Sequence, residues 1–129
     1  MKYADIHFPD VANGPGIRVS LFVSGCTHGC PECFNQEAWD FNYGRDFTED
    51  TIQKILQMCE DPADGLTLLG GDPFEPSNQR ALLPFLKQVK QQFPHKNIWC
   101  YTGYLLDQEL WRQSRARCEV TEELLSLID

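Results

Sequence analysis

Ile17-Arg-Val-Ser-Leu-Phe-Val23 runs without a break into Ser24-Gly25-Cys26-Thr-His-Gly-Cys30-Pro-Glu-Cys33. The first seven residues are β-branched and apolar enough for a strand, and Asn13-Gly-Pro-Gly16 before them is a rigid turn. The strand therefore ends in a loop bent by Gly25, Gly29 and Pro31, and that loop carries three thiols within eight residues.

Working outward, the spacing of Ile52, Ile55, Leu56 and Cys59 predicts a helix from about Glu49 to Cys59, with Thr48 as its cap and two acids in its first turn. Leu66-Thr-Leu-Leu69 reads as a second, buried strand and ends in Gly70-Gly71-Asp72-Pro73. Leu82, Leu86, Val89 and Phe93 form another helical stripe, whose start is expected near Pro84, with that proline in the first turn. Asn97-Ile-Trp-Cys-Tyr101 is a third strand, followed by Thr102-Gly103-Tyr104. Shorter helices are expected around Leu106–Ser114 and Glu122–Ile128, the latter capped by Thr121. Alternating strands and helices imply one α/β domain over residues 1–129, with a parallel sheet and right-handed crossovers. Ligands bind such sheets beyond the C-terminal strand ends. The cysteine loop, Gly70-Gly71-Asp72 and Thr102-Gly103-Tyr104 should thus meet on one rim. The chain stops straight after apolar residues at Ser126-Leu-Ile-Asp129, which leaves room for a further strand beyond it.

A formal net charge of −8, with Lys and Arg scattered, sets up repulsion against a phosphate backbone and gives no hold on anionic lipid. Nucleic acid and membrane are therefore not expected partners. No apolar run reaches spanning length and no apolar signal core follows Met1, so a cytoplasmic location is expected.

There are six cysteines, and Cys59, Cys100 and Cys118 are far apart, so a disulfide framework is not indicated. Cys59, on an apolar helix face, and Cys100, in a strand, read as small hydrophobes; Cys118 is uninformative. Cys26, Cys30 and Cys33 are close enough to share one metal centre. Three thiolates on a four-iron cluster leave one iron open to a chelating substrate. A zinc site, with His28 as fourth ligand, is the competing reading, although structural zinc cysteines usually come as two separated pairs. The remaining polar and aromatic residues read plainly. Arg18 belongs at the strand start, as a surface residue or an aid to the site. Tyr101 and Tyr104 are packing residues, Trp39 and Trp99 core, His7 and His95 solvated, and Trp111 a helix-face or partner contact.

The CxxxCxxC loop after one strand and a Gly-Gly-acid-Pro turn after the next resemble the radical S-adenosylmethionine (SAM) superfamily. Asn13-Gly-Pro-Gly-Ile-Arg18, the short chain and Thr102-Gly103-Tyr104 resemble its subgroup of activating proteins for anaerobic (class III) ribonucleoside-triphosphate reductase. The resemblance runs from about Asp10 to the end. It implies a partial (β/α) barrel of the radical SAM type, with helices outside, and a [4Fe-4S] cluster on Cys26, Cys30 and Cys33. S-adenosylmethionine would sit on the open iron. Glu32, Cys33 and Phe34 match the segment along its adenine, and Gly70, Gly71 and Asp72 the turn that meets its methionyl amine. Glu32 departs from the wider superfamily, which often has an aromatic residue there. No catalytic residue is implied beyond the cluster and S-adenosylmethionine. The implied partners are the reductase, on which a glycyl radical is formed, and a reduced flavodoxin-like electron donor, with a homodimer or a complex with the reductase as assembly. The alternatives are a radical SAM enzyme acting on another glycyl radical enzyme or a small molecule, and a non-catalytic iron-sulfur electron carrier.

Overall fold

The computed structural model describes residues 1–12, 14, 16–25, 41, 44–60, 63–70, 72–101 and 118–128. Three parallel strands form one side of its sheet: β2 (Arg18–Val23), β4 (Gly65–Gly70) and β5 (Asn97–Cys100). They pair in register from Arg18↔Gly65 to Val23↔Gly70 and from Gly65↔Asn97 to Leu68↔Cys100. Val19, Leu21, Val23, Leu66, Leu68 and Ile98 are fully enclosed, as parallel strands between covering layers must be.

The expectation of an all-parallel sheet is corrected. Two antiparallel strands extend it, β1 (Lys2–Asp10) against β2 and the two-residue β3 (Arg45–Asp46) against β1, giving the order β3-β1-β2-β4-β5. The sheet is mixed and open among the described residues. Strand β1 carries Lys2, Asp5, His7 and Pro9, and only Tyr3 and Ile6 of its apolar residues pack against the core. With so little apolar alternation, pairing to β2 rather than local composition makes it a strand.

Helix α1 (Glu49–Met58) starts as expected at Thr48. The Thr48 hydroxyl accepts from the Thr51 amide and the Thr51 hydroxyl from the Thr48 amide, both at 3.4 Å, while Glu49 and Asp50 complement the positive helix start. Ile52, Ile55 and Leu56 face the core, and Cys59 closes the helix.

Helix α2 (Pro76–Gln92) begins two turns earlier than expected, with Pro76 rather than Pro84 in the first turn. Pro84 lies inside it on the exposed side, where water can take the carbonyl left without an amide partner. The first buried positions of the stripe are the amides Asn78 and Gln79, which an apolar periodicity does not register.

Helix α3 (Thr121–Leu127) packs on α2, but Val120, not Thr121, occupies its N-cap. The buried Thr121 hydroxyl instead accepts from the Cys118 amide at 2.8 Å and donates to Gln79 Oε1 at 2.6 Å. Ion pairs Arg80–Glu119 and Lys87–Glu123 flank this joint. The helix expected around Leu106–Ser114 lies outside the described residues, as do Trp39, Gly103, Tyr104 and Trp111.

Arg18 is neither at the surface nor at the expected site. It is fully enclosed at the N-terminal edge of the sheet, the end opposite the rim. Trp99 is likewise not core: it is 39% exposed, with the Arg18 guanidinium carbon 5.8 Å from its ring centroid. His7 is exposed, as expected, and pairs with Asp5.

Candidate functional site at the C-terminal edge of the sheet

Strands β2 and β4 end level, at Val23 and Gly70, and β5 ends at Cys100 opposite Leu68, two residues before the end of β4. Ser24-Gly25 leaves β2 toward Cys26, Gly70 closes β4, and the Tyr101 amide after β5 bonds Leu68 O at 2.9 Å. Two of the three expected loops are therefore anchored on adjacent strand ends, and the third begins beside them.

Glycine is required at both inner strand ends. Gly25 and Gly70 have φ of +103° and +109°, the left-handed region that side chains with a Cβ avoid. A Cβ on Gly70 would stand 2.5 Å from Val23 O, and one on Gly25 would strike the ring of Phe41. At both turns the place of a side chain is taken by neighbouring atoms, so only glycine fits.

Beyond Gly70 the chain doubles back. The Asp72 amide donates to Gly25 O at 2.8 Å, so the turn after β4 is bonded to the residue immediately before Cys26. Asp72 is 1% exposed, and its Oδ1 accepts from the Phe74 amide at 2.9 Å, an Asx turn that feeds the chain into α2. Asn78, in the first turn of α2, donates to Ser24 O and to Asp72 O, each at 2.9 Å. Gln79 Nε2 donates to Phe74 O at 2.7 Å. Sequence reasoning missed both amides. The signal that marks them is their place on the buried stripe of α2, one turn before Leu82 and Leu83.

Of the residues expected at the site, Gly70 and Asp72 are thus brought to the mouth of the cysteine loop. Cys26, Cys30, Glu32, Cys33, Phe34 and Gly71 lie outside the described residues. Cys59 and Cys100 sit in surroundings that disfavour the thiolate. Burial raises the Cys59 thiol to about 11, and burial, with a smaller push from the Asp72 carboxylate, raises that of Cys100. Enclosure of this kind favours the thiol over the thiolate that a metal takes. Among the described residues no cluster of His, Cys, Asp and Glu is placed to hold a metal. The expected donors remain Cys26, Cys30 and Cys33, which follow Gly25 in sequence. A cavity of about 520 Å³ lined by Glu60, Phe93, His95 and Lys96 opens at the other edge, where the chain enters β4 and β5, and contains none of these residues. No helix among the described residues is long and apolar enough to cross a membrane.

The family described as a 4Fe-4S single cluster domain matches residues 12–129. The anaerobic ribonucleoside-triphosphate reductase-activating protein of Haemophilus influenzae is 45% identical over 128 residues, 97% of this chain and 82% of that protein. The protein of the same name from Pasteurella multocida is 47% identical over 109 residues, 82% of this chain and 69% of its own. That of Escherichia coli is 38% identical over 132 residues, covering 100% of this chain and 83% of that one. With both its glycine-ended strands and its three-cysteine loop inside the matched region, the chain belongs to the family of anaerobic ribonucleoside-triphosphate reductase-activating proteins.

Proposed function

We propose that this protein activates an anaerobic ribonucleoside-triphosphate reductase by forming a glycyl radical on it, using S-adenosylmethionine and a [4Fe-4S] cluster. The observation that carries this reading is the bond from the Asp72 amide to Gly25 O, which holds the Gly70–Asp72 turn against the start of the cysteine loop. Membership of the 4Fe-4S single cluster domain supports it further.

When bound, the cluster supplies the electron that cleaves S-adenosylmethionine to methionine and a 5′-deoxyadenosyl radical, and that radical takes a hydrogen from a glycine of the reductase. The rest is the work of this chain. Cys26, Cys30 and Cys33 hold the cluster as thiolates. Gly70 and Gly71 let the backbone approach the methionyl amine, and Asp72 contributes negative charge to it. Glu32, Cys33 and Phe34 lie along the adenine. In this reading the chain adopts a partial barrel of the radical SAM type, and the reductase covers the open rim. A cytoplasmic setting, a flavodoxin-like electron donor and assembly as a homodimer or with the reductase belong to the same reading.

The test is anaerobic reconstitution with iron and sulfide, followed by dithionite and S-adenosylmethionine. 5′-Deoxyadenosine is expected, and a glycyl radical signal on added reductase. If no 5′-deoxyadenosine forms, the reading fails. If it forms but no signal appears on the reductase, the substrate is another protein or a small molecule.

A further inference from the structure

Asn78 occupies an unusual position for a helix residue. It is 1% exposed in the first turn of α2, and its side-chain nitrogen bridges two loops that are distant in sequence, reaching Ser24 O and Asp72 O, each at 2.9 Å. Both acceptors are main-chain carbonyls, so the nitrogen end of the amide must face them, and its two hydrogens satisfy one carbonyl each. Ser24 lies two residues before Cys26, and Asp72 ends the turn after β4. Elsewhere on α2 the buried amide Gln79 serves a different joint, from Phe74 O to Thr121 on α3.

From this we infer that Asn78 is a positioning residue: it sets the offset between the cluster-bearing loop and the S-adenosylmethionine-binding turn, so that it governs how the ligand seats without itself holding the cluster. The inference rests on the function proposed above. A helix anchored under both loops makes their relative placement a property of the rigid scaffold rather than of the loops. Removing the fork withdraws one donor from each carbonyl, with Asp72 O keeping its bond from the Glu75 amide at 3.1 Å, and leaves the Asp72–Gly25 bond to align the loops without it.

The test compares the reconstituted holoenzyme with Asn78→Ala and Thr121→Val. The second variant removes a buried hydrogen bond on the same helix packing but touches neither loop. Three quantities are read: iron content, melting temperature, and the dissociation constant for S-adenosylmethionine together with its effect on the reduced cluster's electron paramagnetic resonance spectrum. Asn78→Ala should load iron like the wild type, weaken S-adenosylmethionine by about tenfold or more, and blunt the ligand-induced spectral change. Thr121→Val should lower the melting temperature with affinity within about twofold of wild type. Equal affinity losses in the two variants, or none in Asn78→Ala, overturn the inference, as does loss of iron from Asn78→Ala, which would make the residue a support of the cysteine loop alone. If Asn78→Ala does not fold, Asn78→Ser carries the same test, since its single hydroxyl hydrogen can serve at most one of the two carbonyls. A wild-type protein that yields no 5′-deoxyadenosine refutes the proposed function instead, whatever the variants do.

Discussion

Arg18 donates from Nε to Thr67 Oγ1 at 2.6 Å, across β2 and β4 at the edge of the sheet away from the cysteine loop. Its Nη2 also reaches Leu66 O at 2.8 Å and Asn97 O at 3.4 Å, so one side chain ties the N-terminal ends of all three parallel strands. Arg18→Met should therefore destabilise the protein by about 3 kcal/mol, through buried acceptors left unpaired. Arg18→Lys should recover little of this, because an ammonium does not reproduce the planar fork. Urea denaturation of the cluster-free protein measures it; a loss below about 1 kcal/mol would show the contacts to be dispensable.

The thiols should divide into two chemical classes. Alanine at Cys26, Cys30 or Cys33 should abolish the absorbance of the reconstituted cluster, and alanine at Cys59 or Cys100 should leave it intact. Retention of full absorbance by Cys30→Ala would refute the ligand assignment.

Cys59 also predicts an alkaline limit to stability. Its folded thiol is raised from 9.0 to about 11 by burial, so at rising pH the unfolded chain loses this proton first. The contribution is whole below about pH 9 and is lost as pH climbs toward about 11. Cys59→Ala should flatten that part of the stability curve. An identical alkaline decline in the variant would exclude Cys59 as its source.

Asp72 has two separable tasks, forming the turn to Phe74 and presenting charge to a ligand. Asp72→Asn keeps an oxygen for the Phe74 amide and should fold normally, while binding S-adenosylmethionine about tenfold more weakly. Asp72→Ala should lose stability as well, by about 1 kcal/mol. Unchanged affinity in Asp72→Asn would leave Asp72 a turn residue only.

Gly70→Ala should be disproportionately harmful for a single methyl group. The added carbon meets the Val23 carbonyl at 2.5 Å in a backbone conformation with φ +109°, and neither strand can retreat within the sheet. A loss of about 2 kcal/mol or more is expected, read as a lowered melting temperature. A variant as stable as wild type would show that the turn can rearrange.

What the sequence disclosed follows from how local each signal is. The parallel strands at 17–23, 66–69 and 97–101 announce themselves as apolar runs, and Thr48 marks α1 by a cap needing only its neighbours. Strand β1 does not, since Lys2, Asp5 and His7 look like surface and only pairing with β2 orders them. The start of α2 was hidden because Pro84 reads as a breaker, and because Asn78 and Gln79 put polar side chains on its inner face. Arg18 misled for the same reason: its burial depends on acceptors about fifty and eighty residues away in sequence. At the site, cysteine spacing and paired glycines are local and legible. The connection between them, through Asn78 and the Asp72 amide, exists only in three dimensions.

That the Asp72–Gly25 link runs from one peptide group to another has a consequence for how such a chain can drift. Side chains in either loop are free to be exchanged over generations without erasing the strut, because every residue but one brings the same amide. Proline at position 72 alone would delete the donor. One tie between the two loops is thereby a property of the polymer itself, while the offset they adopt still depends on the Asn78 side chain.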